Sequence, residues 1–184
     1  MRREETQLSS PSEKTLLIVD DETINQAILS NIFQSEYQII KAEDGVAGLA
    51  AIEKHAQTLS AVLLDVIMPR MNGLEVLRRL HQLDLLQTIP VFLITADMDS
   101  TTMRESYELG VMDVIFKPVV PYMVRRRVNS VVELFQARRK LGAEVERQRD
   151  QLLLQAQRLA DMSMGMVEAL STAIEFRSDE SGAH

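Results

Sequence analysis

At 184 residues, with 46% hydrophobic and 26% charged side chains, the chain has the make-up of a globular protein holding one ordinary core and an extra element. No cysteine is present, which excludes disulfides and thiolate metal sites and fits a cytoplasmic protein, and no apolar run nears the roughly 20 residues that cross a bilayer. A 4% aromatic share excludes base-stacking platforms for single-stranded nucleic acid, and the net charge is −7.

That charge is unevenly spread. Residues 1–121 carry 18 acids against 10 Lys and Arg, residues 122–160 carry 4 against 9, and the remainder is acidic again. The pattern predicts an acidic domain, a basic helical arm and the beginning of another unit. In chain order, residues 1–13 are polar and read as a disordered leader. Thr15–Val19 is a buried strand that runs into Asp20, Asp21 and Glu22. Ile24, Ala27, Ile28 and Phe33 then recur at helical spacing, and Tyr37–Lys41 forms a short strand. A second helix opens at Asp44-Gly45 with Val46, Leu49, Ala50 and Ile52 expected inward. Ala61–Asp65 is an apolar strand ending in a carboxylate, broken by Pro69 and Asn72-Gly73. Leu74, Val76, Leu77 and Leu80 define a third helix, residues 89–95 a fourth strand, and Met103, Tyr107 and Leu109 a fourth helix stopped by Gly110. Val111–Phe116 is a fifth strand, ended by Lys117-Pro118. Five strands alternating with helices over short connections predict an α/β fold with a doubly wound, five-stranded parallel sheet and a long C-terminal helix.

Ligands of such sheets bind beyond the carboxyl ends of the strands. Those ends carry Asp20, Asp21, Asp65, Thr95 and Lys117. Three clustered carboxylates repel one another unless a cation joins them, and an open, oxygen-only site suits Mg2+. So neutralised, one carboxylate can attack a phosphoryl group, with Lys117 and Thr95 supplying a positive charge and a hydroxyl donor.

These residues lie in Leu17-Ile18-Val19-Asp20-Asp21-Glu22, Leu64-Asp65-Val66-Ile67-Met68-Pro69-Arg70-Met71-Asn72-Gly73, Ile94-Thr95-Ala96 and Phe116-Lys117-Pro118. The sequence resembles the receiver domain of two-component response regulators over residues 14–136. The resemblance implies that Asp65 is the phosphoacceptor, supplied by a sensor histidine kinase or phosphotransfer protein. It implies that Asp20, Asp21, Asp65 and the Ile67 backbone carbonyl hold Mg2+, and that Thr95 and Lys117 bind the phosphoryl oxygens. A cis Lys117–Pro118 bond is expected too. One departure stands out: the aromatic residue that the family usually places three positions before the lysine is Val114 here, and Phe116 is expected in the core rather than as its substitute. An Asp-nucleophile phosphatase would want a second acid at Ile67, and a flavin site would want Ser, Thr and Gly where this chain has acids, so both readings fall away.

Beyond the receiver, Val131, Arg138, Val145, Leu152, Leu159, Met166 and Ala173 recur at seven-residue spacing, with Leu134, Leu141, Gln148, Gln155, Met162 and Ala169 between them. Such a seam predicts a coiled-coil linker over residues 137–165 and a parallel homodimer. The basic surplus reads as a solvated face, with no recognition element after it for nucleic acid. Residues 166–184 resemble the opening of HD-GYP domains, metal-dependent phosphodiesterases of cyclic di-GMP, with Glu180 and His184 matching a first pair of metal ligands. The remaining ligands of a binuclear site are absent, so this segment is expected to be a truncated domain and the chain no working phosphodiesterase. The expectation is a phosphorylatable receiver signalling through a dimeric arm. Its alternatives are a non-catalytic dimerisation scaffold and, less favoured, a DNA-binding regulator.

Overall fold

The computed structural model describes residues 14–96 and 99–181, with side chains as far as residue 174. The predicted leader and His184 lie outside the described residues, as does the side chain of Glu180. The chain divides into two units, residues 1–136 and 137–184.

In the first unit, β1 (Thr15–Val19), α1 (Thr23–Phe33), β2 (Gln38–Ala42), α2 (Gly45–His55), β3 (Leu59–Asp65), α3 (Gly73–Gln82), β4 (Val91–Thr95), α4 (Ser100–Leu109) and β5 (Asp113–Phe116) follow in strict alternation. All strand pairs are parallel, in the order β2-β1-β3-β4-β5. Each central strand is apolar on both faces, because helices cover both. Leu17, Val19, Val62, Leu64, Val91 and Leu93 meet Ile52, Val76, Leu77 and Leu80 of α2 and α3. On the opposite face Leu16, Ile18, Leu63, Phe92 and Ile94 meet Leu29 and Phe33 of α1 and Val124, Val128 and Val132 of the helix that follows β5. Helix α5 (Pro121–Ser181) is 61 residues long, and its side chains from Ala137 to Ile174 are exposed. No helix among the described residues is long and apolar enough to cross a membrane.

Several sequence expectations need correction. Phe116 is 47% exposed rather than in the core. It is the last residue of the edge strand β5, on the same face as Val114 by strand alternation. In α2, Val46 and Ala50 face solvent, and the helix instead turns Gly45, Gly48 and Ile52 inward. Helical spacing fixes that apolar residues share a stripe, not which flank of the stripe meets the sheet. Ile24 and Ile28 of α1 and Tyr107 of α4 are likewise exposed; of the α1 stripe Phe33 is buried as expected, joined by Leu29 and Ile32, and in α4 Ser106 is buried. A short 3-10 turn at Leu85–Gln87 precedes β4, which starts at Val91 because Pro90 has no amide hydrogen for the ladder.

Candidate functional site

The three predicted acids meet at the carboxyl ends of β1 and β3. Asp20, Asp21 and Asp65 place one carboxylate oxygen each within 4.8 Å of one another. Asp20 and Asp65 are buried and Asp21 is exposed, so the cluster opens to solvent on one side. Asp20 is held in place by its neighbours. Its Oδ1 accepts from the Glu22 amide at 2.9 Å and from Asn25 Nδ2 at 3.1 Å. Gln26 Nε2 donates to the carbonyls of Asp20 (2.7 Å) and Ala42 (3.0 Å), tying the ends of β1 and β2 together. Neither Asn25 nor Gln26 was singled out in the sequence, although both fall within two turns after Asp20, where a helix starting at Thr23 turns them back toward the strand ends.

Lys117 reaches into the cluster from the end of β5. Its Nζ donates to Asp65 Oδ2 at 2.9 Å and to Asp20 Oδ2 at 3.1 Å. Burial pushes the Asp65 carboxyl above its ordinary value and the Asp20 charge adds to this, while the hydrogen bond from Lys117 opposes it. Burial pulls the Lys117 ammonium down, but the hydrogen bonds and charges of Asp65 and Asp20 together outweigh it and raise its pKa. Asp65 is thus a carboxylate of raised basicity next to a cation, a useful state for a nucleophile. Thr95 ends β4, fully buried, and its carbonyl accepts from the Lys117 amide at 2.8 Å. The Lys117–Pro118 peptide is cis. Val114 is buried in the core beside Leu93, so a compact aliphatic group occupies the position of the expected aromatic ring.

Ile67 lies in the loop between β3 and α3, two residues after Asp65, with an exposed side chain. That loop is tightly drawn in. Gly73 donates its amide to the Val66 carbonyl at 3.0 Å, and a Cβ on Gly73 would sit 2.3 Å from the Asp65 carbonyl oxygen. Asn72 then caps α3 through a reciprocal box with Glu75. A cluster of hard oxygen donors, open on one side and short of positive charge, fits a divalent cation that keeps part of its water shell. Among the described residues no other group of His, Cys, Asp and Glu side chains forms such a cluster. The proposed ligand pair Glu180 and His184 falls outside the described side chains.

The chain is similar to known proteins. The family model of the response regulator receiver domain matches residues 16–129. A probable cyclic di-GMP phosphodiesterase of Vibrio cholerae is 30% identical over 94% of this chain and 39% of its own length. The cyclic di-GMP phosphodiesterase response regulator RpfG of Xanthomonas campestris is 28% identical over 91% of this chain and 45% of its own. The chain therefore spans about two fifths of the length of these relatives. Among solved structures, the CheX-CheY-BeF3-Mg complex from Borrelia burgdorferi contains a chain with TM-score 0.60 and 30% identity, covering 65% of this chain and 88% of its own length.

Proposed function

The chain belongs to the response regulator receiver family, and from that premise we propose that it is a phosphorylation-operated signalling protein with Asp65 as phosphoacceptor. The observation that carries the reading is the convergence of Asp20, Asp21 and Asp65, with Lys117 2.9 Å from Asp65, at the strand ends. The three aspartates and the Ile67 carbonyl are the groups that would hold Mg2+. When bound, the ion neutralises the acids and the negative oxygens of an incoming phosphoryl group. An Asp65 carboxylate oxygen forms the new bond to phosphorus. The donor's bond to phosphorus breaks, and its electron pair leaves with the imidazole of a phosphohistidine on a sensor kinase or phosphotransfer protein. Lys117 and the Thr95 hydroxyl hold the transferred oxygens, and β4 and β5, which carry them, report the change to the neighbouring helices.

The same reading assigns the arm and its end. The seven-residue seam of α5 pairs two copies in a parallel coiled coil, and the phosphorylation state of the receivers biases that pairing. The likeness to two cyclic di-GMP phosphodiesterases supports an HD-GYP output domain of that activity in a longer parent, with this chain a cytoplasmic, non-enzymatic input module. Intact mass after incubation with Mg2+ and acetyl phosphate, alongside Asp65→Asn and a chelator control, tests the central step. A phosphate-sized gain in the unaltered protein alone, abolished by chelation, is expected. No gain refutes the phosphoacceptor role and leaves a dimerisation scaffold.

A further inference from the structure

The Asp65-to-Gly73 loop is fastened to a second part of the molecule by a pair that the phosphoryl chemistry does not use. Arg70 adopts a left-handed backbone conformation, φ 68°, which a side-chain-bearing residue holds only when its surroundings fix it. Its guanidinium meets the Oδ2 of Asp44, the residue that caps α2, and lies 3.7 Å from Glu43. The Asp44 side chain is 1% exposed. Its Oδ1 accepts from the Ala47 amide at 2.8 Å, and the Arg70 guanidinium is the counterpart of Oδ2. A buried carboxylate is costly unless it is paired, and among the described residues the cation paired with Asp44 comes from this loop. Beside the pair, backbone meets backbone: a Cβ on Gly45 would lie 2.3 Å from the Met71 carbonyl oxygen. The loop is thus held between α2 and the end of β3, with Ile67 in the held stretch.

We propose that Arg70, through Asp44, is a positioning residue that fixes the β3–α3 loop so that the Ile67 carbonyl stands ready for Mg2+. This rests on the metal-site reading given above. Two effects of deleting Arg70 have opposite signs. By Coulomb attraction alone, removing a cation near an acidic cluster tightens Mg2+ binding. Releasing the loop weakens it, because an outer residue that orients a ligand commonly contributes tenfold or more in metal affinity.

The test is calorimetric titration of metal-free protein with MgCl2 for the unaltered chain, Arg70→Gln, Arg70→Lys, Asp44→Asn and the Arg70→Gln/Asp44→Asn double variant, with thermal melts in chelator to verify folding. Arg70→Gln is expected to weaken Mg2+ binding about tenfold. Arg70→Lys restores part of the loss, because an ammonium keeps the charge without the planar fork. The double variant is no weaker than the poorer single variant, since both remove one interaction. Equal or tighter Mg2+ binding by Arg70→Gln overturns the proposal, as does a double variant whose losses add. Absence of saturable binding by the unaltered chain refutes the metal site itself and takes this role with it.

Discussion

Replacing Lys117 by Met keeps the length of its aliphatic stem and removes its charge, which isolates the ammonium's contribution to the metal-free site. Two carboxylates lose their cation at once: the Asp20 side chain is 1% exposed and that of Asp65 is 7%. Breaking a buried ion pair from one side costs about 3–5 kcal/mol. Lys117 is 24% exposed and the cluster opens to solvent, so the low end, about 3 kcal/mol at neutral pH without metal, is expected. Asp65 is already raised by burial and by Asp20, and losing its hydrogen bond from Lys117 raises it further. A carboxyl group whose folded pKa exceeds its unfolded value takes up protons preferentially in the folded state. The variant therefore recovers stability as pH falls through that folded value toward the ordinary carboxylate range. Mg2+ restores stability at neutral pH by supplying the missing charge. Urea unfolding at pH 7 and pH 5, with and without Mg2+, measures all three effects. A loss below about 1 kcal/mol, the size of an exposed surface pair, or a loss independent of both pH and Mg2+, would refute the argument.

Alkaline pH should destabilise the unaltered protein, because burial, then Glu36 and Glu133, push the Tyr37 hydroxyl up to about 12, so the unfolded chain ionises first. Tyr37→Phe removes that share of the loss between about pH 10 and 12, and costs about 1 kcal/mol at neutral pH with the 2.7 Å bond to Asn129; urea unfolding across the range checks both. Gly73→Ala drives a methyl into the Asp65 carbonyl and should cost about 2–3 kcal/mol by chemical unfolding while slowing phosphorylation at Asp65, seen by mass. If the proposed coiled-coil dimer forms, Leu152→Asp with Leu159→Asp turns it into a monomer in light scattering; a dimer that persists would place the interface outside the seam, and a monomeric unaltered chain would refute the dimer.

The fold was legible because its strands are buried on both faces. Leu16-Leu17-Ile18-Val19 and Ala61-Val62-Leu63-Leu64 can only be satisfied inside a covered parallel sheet, and sheet geometry then sends Asp20 and Asp65 to one rim. What escaped depends on information that periodicity lacks. The exposure of Phe116 goes with its place at the end of the edge strand β5, which no local pattern announces. The Arg70–Asp44 pair joins residues 26 positions apart through a left-handed turn, and nothing about an arginine after a proline signals either. Val46 and Ala50 show the remaining ambiguity, since α2 is apolar over more of its circumference than the sheet can cover.

The two hydrogen bonds from Lys117, to Asp20 and to Asp65, also fix the electrical state from which the site starts. Three carboxylates and one ammonium leave two formal negative charges, the complement of one divalent cation. With Mg2+ bound, the proposed resting site is neutral. A phosphorylated aspartate carries close to two negative charges where the carboxylate carried one, so transfer leaves the site about one charge in deficit. Among the described residues no ammonium or guanidinium other than Lys117 is paired with these acids, so the deficit would fall on neutral donors such as the Thr95 hydroxyl and backbone amides. The proposed phosphorylation would thus call for reorientation of neutral donors at the end of β4 rather than for another ion.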